Sequence, residues 1–88
     1  MKVLIVDDET LICESIRADF KRMAHPWEYE VFLAQSVAEA QKTYYREEPD
    51  FVITDINMPG GSGLILVSEI HKHNPDCALL VLSAYDDF

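Results

Sequence analysis

The sequence predicts an α/β fold, a doubly wound parallel sheet of order 2-1-3-4 with helices on both faces. Three observations predict it. Apolar runs of strand length alternate with segments of helical periodicity. The connections between them are short, which favours right-handed crossovers between parallel strands. Acidic clusters follow directly on the first and third apolar runs, where an open parallel sheet gathers its chemistry. With 88 residues and no linker, repeat or low-complexity tract, residues 1–88 are expected to form one small domain. A chain of this size buries only about 60 to 65% of its unfolded surface, so marginal stability is expected.

Residues 2–6 are continuously apolar after Lys2 and rich in branched side chains, the pattern of a strand covered on both faces. Over residues 10–23, Ile12, Ile16, Phe20 and Met23 recur at helical spacing against Glu14, Arg17, Asp19, Lys21 and Arg22, which predicts an amphipathic helix with those four apolar residues inward. His25-Pro26 stops it, because the residue before proline is disfavoured in the helical region. A second strand lies within residues 27–34, centred on Val31 and Phe32.

Ser36 and Glu39 fit a capping box, in which hydroxyl and carboxylate satisfy reciprocal backbone donors. The helix they open carries Val37, Ala40, Gln41 and Tyr44 on its inner stripe and ends near Glu48-Pro49. Residues 51–54 form the third strand. Gly60-Gly61-Ser62-Gly63 opens a third helix with Leu64, Val67 and Ile70 inward, closing at Asn74-Pro75. Residues 78–82 form a fourth, buried strand, and Asp86 or Asp87 looks like the cap of a further helix, so the chain is expected to be cut within its fold.

The formal net charge of −9, from 16 acidic against 7 basic residues, argues against direct contact with nucleic acid or anionic lipid. No apolar stretch approaches the roughly 18 residues that span a bilayer, and the start is too short for a signal peptide, so a cytoplasmic protein is expected. Cys13 and Cys77 lie far apart without metal-ligand spacing and read as free, packed thiols. His71 and His73 flank Lys72 at a helix C-terminus and read as a solvated, cation-favouring turn. Met23 and Met58 read as packing groups, and Tyr44 and Tyr45 as cover for the sheet beside Pro49.

The acidic clusters need a different account. Val3 to Val6 runs into Asp7-Asp8-Glu9, and Phe51 to Thr54 runs into Asp55-Ile56-Asn57-Met58-Pro59, so the two should converge in one pocket. Two unit charges about 5 Å apart repel by roughly 3 kcal/mol at an effective dielectric near 20, so gathered carboxylates must take up protons or hold a cation. Oxygen donors without a nearby thiol or imidazole suit Mg²⁺ or Mn²⁺. Helix capping would explain Asp7 and Asp8 alone, but leaves Asp55 without a role.

Val-Asp-Asp-Glu after the first strand, Thr-Asp-Ile-Asn-Met-Pro-Gly-Gly-Ser-Gly after the third and Leu-Ser-Ala-Tyr-Asp-Asp-Phe after the fourth together resemble the receiver domain of two-component response regulators. The resemblance implies the flavodoxin-like receiver fold, with the family's fifth strand and last two helices missing from these 88 residues. It implies that Asp55 accepts a phosphoryl group from a sensor histidine kinase. Asp8 would ligate Mg²⁺ directly, Asp7 directly or through water, and Asn57 through its backbone carbonyl. Ser83 would hydrogen-bond the phosphoryl oxygens, Ala84 would keep the pocket open, and Pro59 and Gly63 would shape the loop. The domain would assist its own phosphotransfer and dephosphorylation without being an enzyme in the ordinary sense. The final heptad is similar to receivers joined to an arabinose-regulator-type helix-turn-helix domain, which implies a transcription factor as the parent protein.

Departures from the family are also visible. Ser62 stands where an acidic residue is common, and still caps a helix. The family's lysine after the fifth strand and its switch aromatic have no counterpart, which leaves a non-switching fragment as the alternative. The fourth strand, without lysine, proline or inward charge, is then expected to be an edge that self-associates, in the simplest case as a two-fold dimer. A metal-dependent phosphohydrolase of the haloacid dehalogenase kind would want a second aspartate where Glu9 stands.

Overall fold

The computed structural model describes residues 1–23, 28–58 and 60–82. The chain runs β1 (Lys2–Val6), α1 (Thr10–Met23), β2 (Glu30–Ala34), α2 (Val37–Glu47), β3 (Phe51–Asp55), β4 (Asn57–Met58), β5 (Gly61–Ser62), α3 (Gly63–His73) and β6 (Ala78–Leu82). The four long strands form one parallel sheet in the order β2-β1-β3-β6, the expected doubly wound arrangement with β6 as its fourth strand.

β1 explains its own apolarity. Leu4 and Val6 pack with Ala34, Ala40, Tyr44, Val52, Leu66 and Ile70 beneath α2 and α3. Val3 and Ile5 pack with Cys13 and Ile53 beneath α1, joined by Ile16 and Phe20. A strand serving two cores cannot spare an alternate position for a polar residue. Each such buried side chain contributes about 1.5–3 kcal/mol of apolar transfer.

Helix phases depart from the hydrophobic stripes in two places. In α1 the inward residues are Cys13, Ile16 and Phe20, whereas Ile12 is 37% and Met23 75% exposed. The helix passes so close to the end of β1 that the Cys13 thiol reaches the Asp7 carbonyl at 3.4 Å, a contact that sets the phase with a small side chain. In α3 the buried residues are Gly63, Leu66 and Ile70, while Leu64 is 54% exposed. The phase is dictated by Gly63: an added Cβ there would stand 1.8 Å from the Asp55 carbonyl oxygen, so the glycine must face the strand.

Other details also differ from the expectation. Ser36 accepts the Glu39 N–H at 3.1 Å, but the Glu39 carboxylate reaches back to the N–H of Gln35, not Ser36. In α2 Thr43 is buried and Gln41 half-buried; Gln41 instead donates to Glu69 at 2.7 Å, and Tyr45 donates to the other oxygen of Glu69 at 2.8 Å. His71 and His73 are exposed in the last turn of α3, as expected, and His73 in addition pairs its Nδ1 with the Tyr44 hydroxyl at 2.8 Å and packs its ring edge-on against Tyr44 and Tyr45. β6 is half-covered rather than buried, with Leu80 46% exposed, because among the described residues only β3 pairs with it. β4 and β5 make a small antiparallel ribbon, unforeseen in the sequence, that returns the chain to α3 through Gly60 at φ 81°. Among the described residues no helix is long and apolar enough to cross a membrane.

The two glycines of this return differ in kind. Gly60 has open space around a Cβ and only its positive φ to protect, so Gly60→Ala should cost about 1–2 kcal/mol. Gly63→Ala collides with backbone and should cost more, on the order of 3 kcal/mol, with displacement of Asp55. Urea unfolding of the two variants checks this; equal losses would show that the α3 start yields freely.

Candidate functional site

The site lies where β1 and β3 end side by side. Their register pairs Val6 with Thr54, so the next residue of each strand, Asp7 and Asp55, emerges at the same level. Asp7 extends the β1 ladder by donating its N–H to the Ala34 carbonyl at 3.0 Å, and its carboxylate Oδ1 accepts the Glu9 N–H at 2.9 Å. Glu9 in turn accepts from Ile12 and Cys13 at the first turn of α1. Asp7 is thus fixed by strand, turn and helix start together.

Asp55 closes β3 and is half-buried. The peptide unit that follows it is held at both ends. Its oxygen, the Asp55 carbonyl, accepts the Thr54 hydroxyl at 3.0 Å, and its nitrogen, the Ile56 N–H, donates to Leu82 on β6 at 3.2 Å. The Ile56 carbonyl then accepts the Gly63 N–H at 2.7 Å, pinning the start of α3 to the acidic turn.

Carboxylate oxygens of Asp7, Asp8 and Asp55 come within 4.8 Å of one another, the one such cluster of potential ligands among the described residues. Asp7 is buried at 5% exposure, Asp8 is exposed and Asp55 is intermediate. Burial pushes the Asp7 carboxyl above its ordinary value; the Glu9 N–H works against this, and the charges of Asp55, Asp8 and Glu9 add to the rise. Burial likewise raises the Cys13 thiol, with the Asp7 charge beside it, so Cys13 stays protonated and offers no thiolate to the site. The donor set is therefore all oxygen, carries three negative charges when ionised and opens to solvent at Asp8, which fits a hard divalent cation and not a soft one.

The structure brings Asp7, Asp8 and Asp55 together at the ends of β1 and β3. Asn57 lies two residues past Asp55, exposed, in the ribbon opposite Ser62. Ser83, Ala84 and Pro59 lie outside the described residues. Thr54 is a further residue at the site that strand patterning alone does not single out; its one signal in the sequence is a hydroxyl in an otherwise apolar run, immediately before the acid.

Comparison with known proteins fits this geometry. Residues 3–88 match the response regulator receiver domain. Transcriptional regulatory protein HptR of Staphylococcus aureus is 36% identical over 91 residues, covering 99% of this chain and 33% of HptR. The chain thus spans about a third of the length of the curated relatives it matches. Response regulator TrrA of Thermotoga maritima, 36% identical, superposes with a TM-score of 0.86 in its complex with Mg²⁺–BeF, over 97% of this chain and 70% of that one. The same regulator in complex with histidine kinase ThkA gives a TM-score of 0.84, over 99% of this chain and 72% of that one. A two-component transcriptional regulator AraC from Clostridium phytofermentans, 30% identical, gives 0.82 over 99% of this chain and 69% of that one. With the fold, the acidic cluster and this match over nearly its whole length, the chain belongs to the response regulator receiver domain family.

Proposed function

We propose that residues 1–88 act as the phosphoacceptor unit of a response regulator, taking a phosphoryl group from a sensor histidine kinase onto Asp55. The observation that carries this reading is the convergence of the Asp7, Asp8 and Asp55 carboxylates at the level ends of two adjacent parallel strands. Receiver domains are signalling domains rather than classical enzymes, and what this one needs is an aimed carboxylate oxygen and neutralised charge. An Asp55 oxygen attacks the phosphorus of a phosphohistidine, an O–P bond forms as the P–N bond breaks, and the freed imidazole takes up a proton from solvent.

Asp8, Asp55 and the Asn57 carbonyl would hold Mg²⁺ or Mn²⁺, with Asp7 in support; once bound, the cation neutralises charge developing on the phosphoryl oxygens. The Mg²⁺–BeF complex of TrrA supports this ligand class, and the TrrA–ThkA complex supports a kinase partner. Ser83 and Ala84 take the phosphoryl-binding and pocket roles that the resemblance implies. HptR and the AraC regulator support a transcriptional output in the parent protein; we place that protein in the cytoplasm, and its nucleic-acid contact outside these residues, whose net charge is −9. For a polypeptide of these 88 residues, we also propose self-association along the outer edge of β6, where Leu80 is 46% exposed; sedimentation at rising concentration should show a dimer, and a persisting monomer would remove it.

Three expected outcomes follow from the site. Asp55→Asn should abolish labelling by a small phosphodonor such as acetyl phosphate, and undiminished labelling would move the acceptor elsewhere. Asp8→Asn should weaken Mg²⁺ binding about tenfold, a loss of roughly 1.4 kcal/mol, in a fluorescence or calorimetric titration.

The third concerns pH. The folded Asp7 carboxyl lies above its unfolded value, so its charge costs stability once the pH has risen through the folded value and costs nothing below the unfolded one. At neutral pH Asp7→Asn should therefore stabilise the metal-free domain and shrink its response to Mg²⁺, which for the wild type approaches about 2.7 kcal/mol at a hundredfold excess over the dissociation constant. Melting curves at pH 7, with and without Mg²⁺, measure both effects.

A further inference from the structure

Thr54 is an anomaly in its strand. It is 0% exposed, and its register neighbours are Val6 on β1 and Val81 on β6. It shares a sheet face with Val52, beneath α3. A valine has the same shape, and a buried hydroxyl costs stability unless it is hydrogen-bonded. This one is bonded: it donates to the carbonyl of the following residue, Asp55, at 3.0 Å. The same carbonyl oxygen is backed by Gly63, where a Cβ would lie 1.8 Å from it and 3.0 Å from the Thr54 Oγ1. The nitrogen of that peptide unit is held by Leu82, and the next carbonyl by the Gly63 N–H.

We propose that Thr54 is a positioning residue for phosphoryl transfer: its buried hydroxyl locks the peptide plane after Asp55 and so aims the Asp55 carboxylate. The inference rests on Asp55 being the phosphoryl acceptor. Branching at Cβ restricts the Thr54 rotamer, so the donor is set in place before a phosphodonor arrives. Aim matters because misplacement of a reacting group by about 1 Å can cost about a hundredfold in rate. Groups that orient a site ligand typically contribute about ten- to a hundredfold.

Thr54→Val keeps the volume and removes the donor; Thr54→Ser keeps the donor and removes a methyl group. A role in packing alone makes serine the worse variant, since it leaves a gap in a closed site. Positioning makes valine the worse one. The experiment measures Asp55 labelling by acetyl phosphate at saturating donor and Mg²⁺, with melting curves for each variant. We expect Thr54→Val to be about tenfold slower than wild type or more, and Thr54→Ser to stay within about threefold, whatever the order of their melting temperatures. If Thr54→Val does not fold, Thr54→Ala replaces it in the comparison with Thr54→Ser. Thr54→Val as fast as wild type, or Thr54→Ser as slow as Thr54→Val, overturns the inference alone. A wild-type chain that does not label at Asp55 overturns the functional reading as well.

Discussion

Everything at the site depends on the register between β1 and β3. Pairing Val3 with Phe51 and Val6 with Thr54 brings the two strands to an end at one level, and the acids that follow are forced together by the sheet itself. A slip by one residue would turn every side chain of one strand to the opposite face, breaking both cores and parting Asp7 from Asp55. The two-sided burial of β1 therefore protects the site as much as the fold, because the same apolar contacts that exclude water also forbid the slip.

That arrangement sets charge repulsion against packing. The acids are drawn close with only local compensation, chiefly the Glu9 N–H on the Asp7 carboxylate. Exposed ion pairs such as Arg17 with Glu14 and Arg46 with Glu47 offer little in return, since such pairs are worth about 0–1 kcal/mol. The load falls on the two apolar clusters and on the polar contacts between α2 and α3, where Gln41 and Tyr45 hold Glu69 and Tyr44 pairs with His73. A metal-free receiver is in this sense a fold held open for a cation.

Sheet order, helix positions and the acidic cluster were legible because they rest on local signals: branched apolar runs, helical periodicity, and acids directly after strands. The phases of α1 and α3 were legible only in part: Ile16, Phe20 and Ile70 face inward as expected, but Ile12, Met23 and Leu64 do not, because small residues make the tertiary contacts, Cys13 with the Asp7 carbonyl and Gly63 with Asp55, to which hydrophobic spacing is blind. The short ribbon of β4 and β5 carries too few residues for a period to show. The contact of His73 with Tyr44 was not legible either, because the two stand 29 positions apart in sequence. Thr54 sat within a strand pattern that it did not disturb, and its hydroxyl acquires meaning only once the carbonyl beside it is seen to be held.

The two cysteines have a consequence of another kind. Cys13 lies in the cluster beneath α1 and Cys77 in the cluster beneath α2 and α3, so the sheet stands between them. Both are buried, and burial raises both thiols above their ordinary value. Oxidants and alkylating agents react with thiolates they can reach, and neither thiol meets either condition in the folded state. A bridge between them would require the sheet to come apart. The thiols of the native domain are thus chemically quiet, and modification of either cysteine by a thiol reagent becomes a direct report of unfolding.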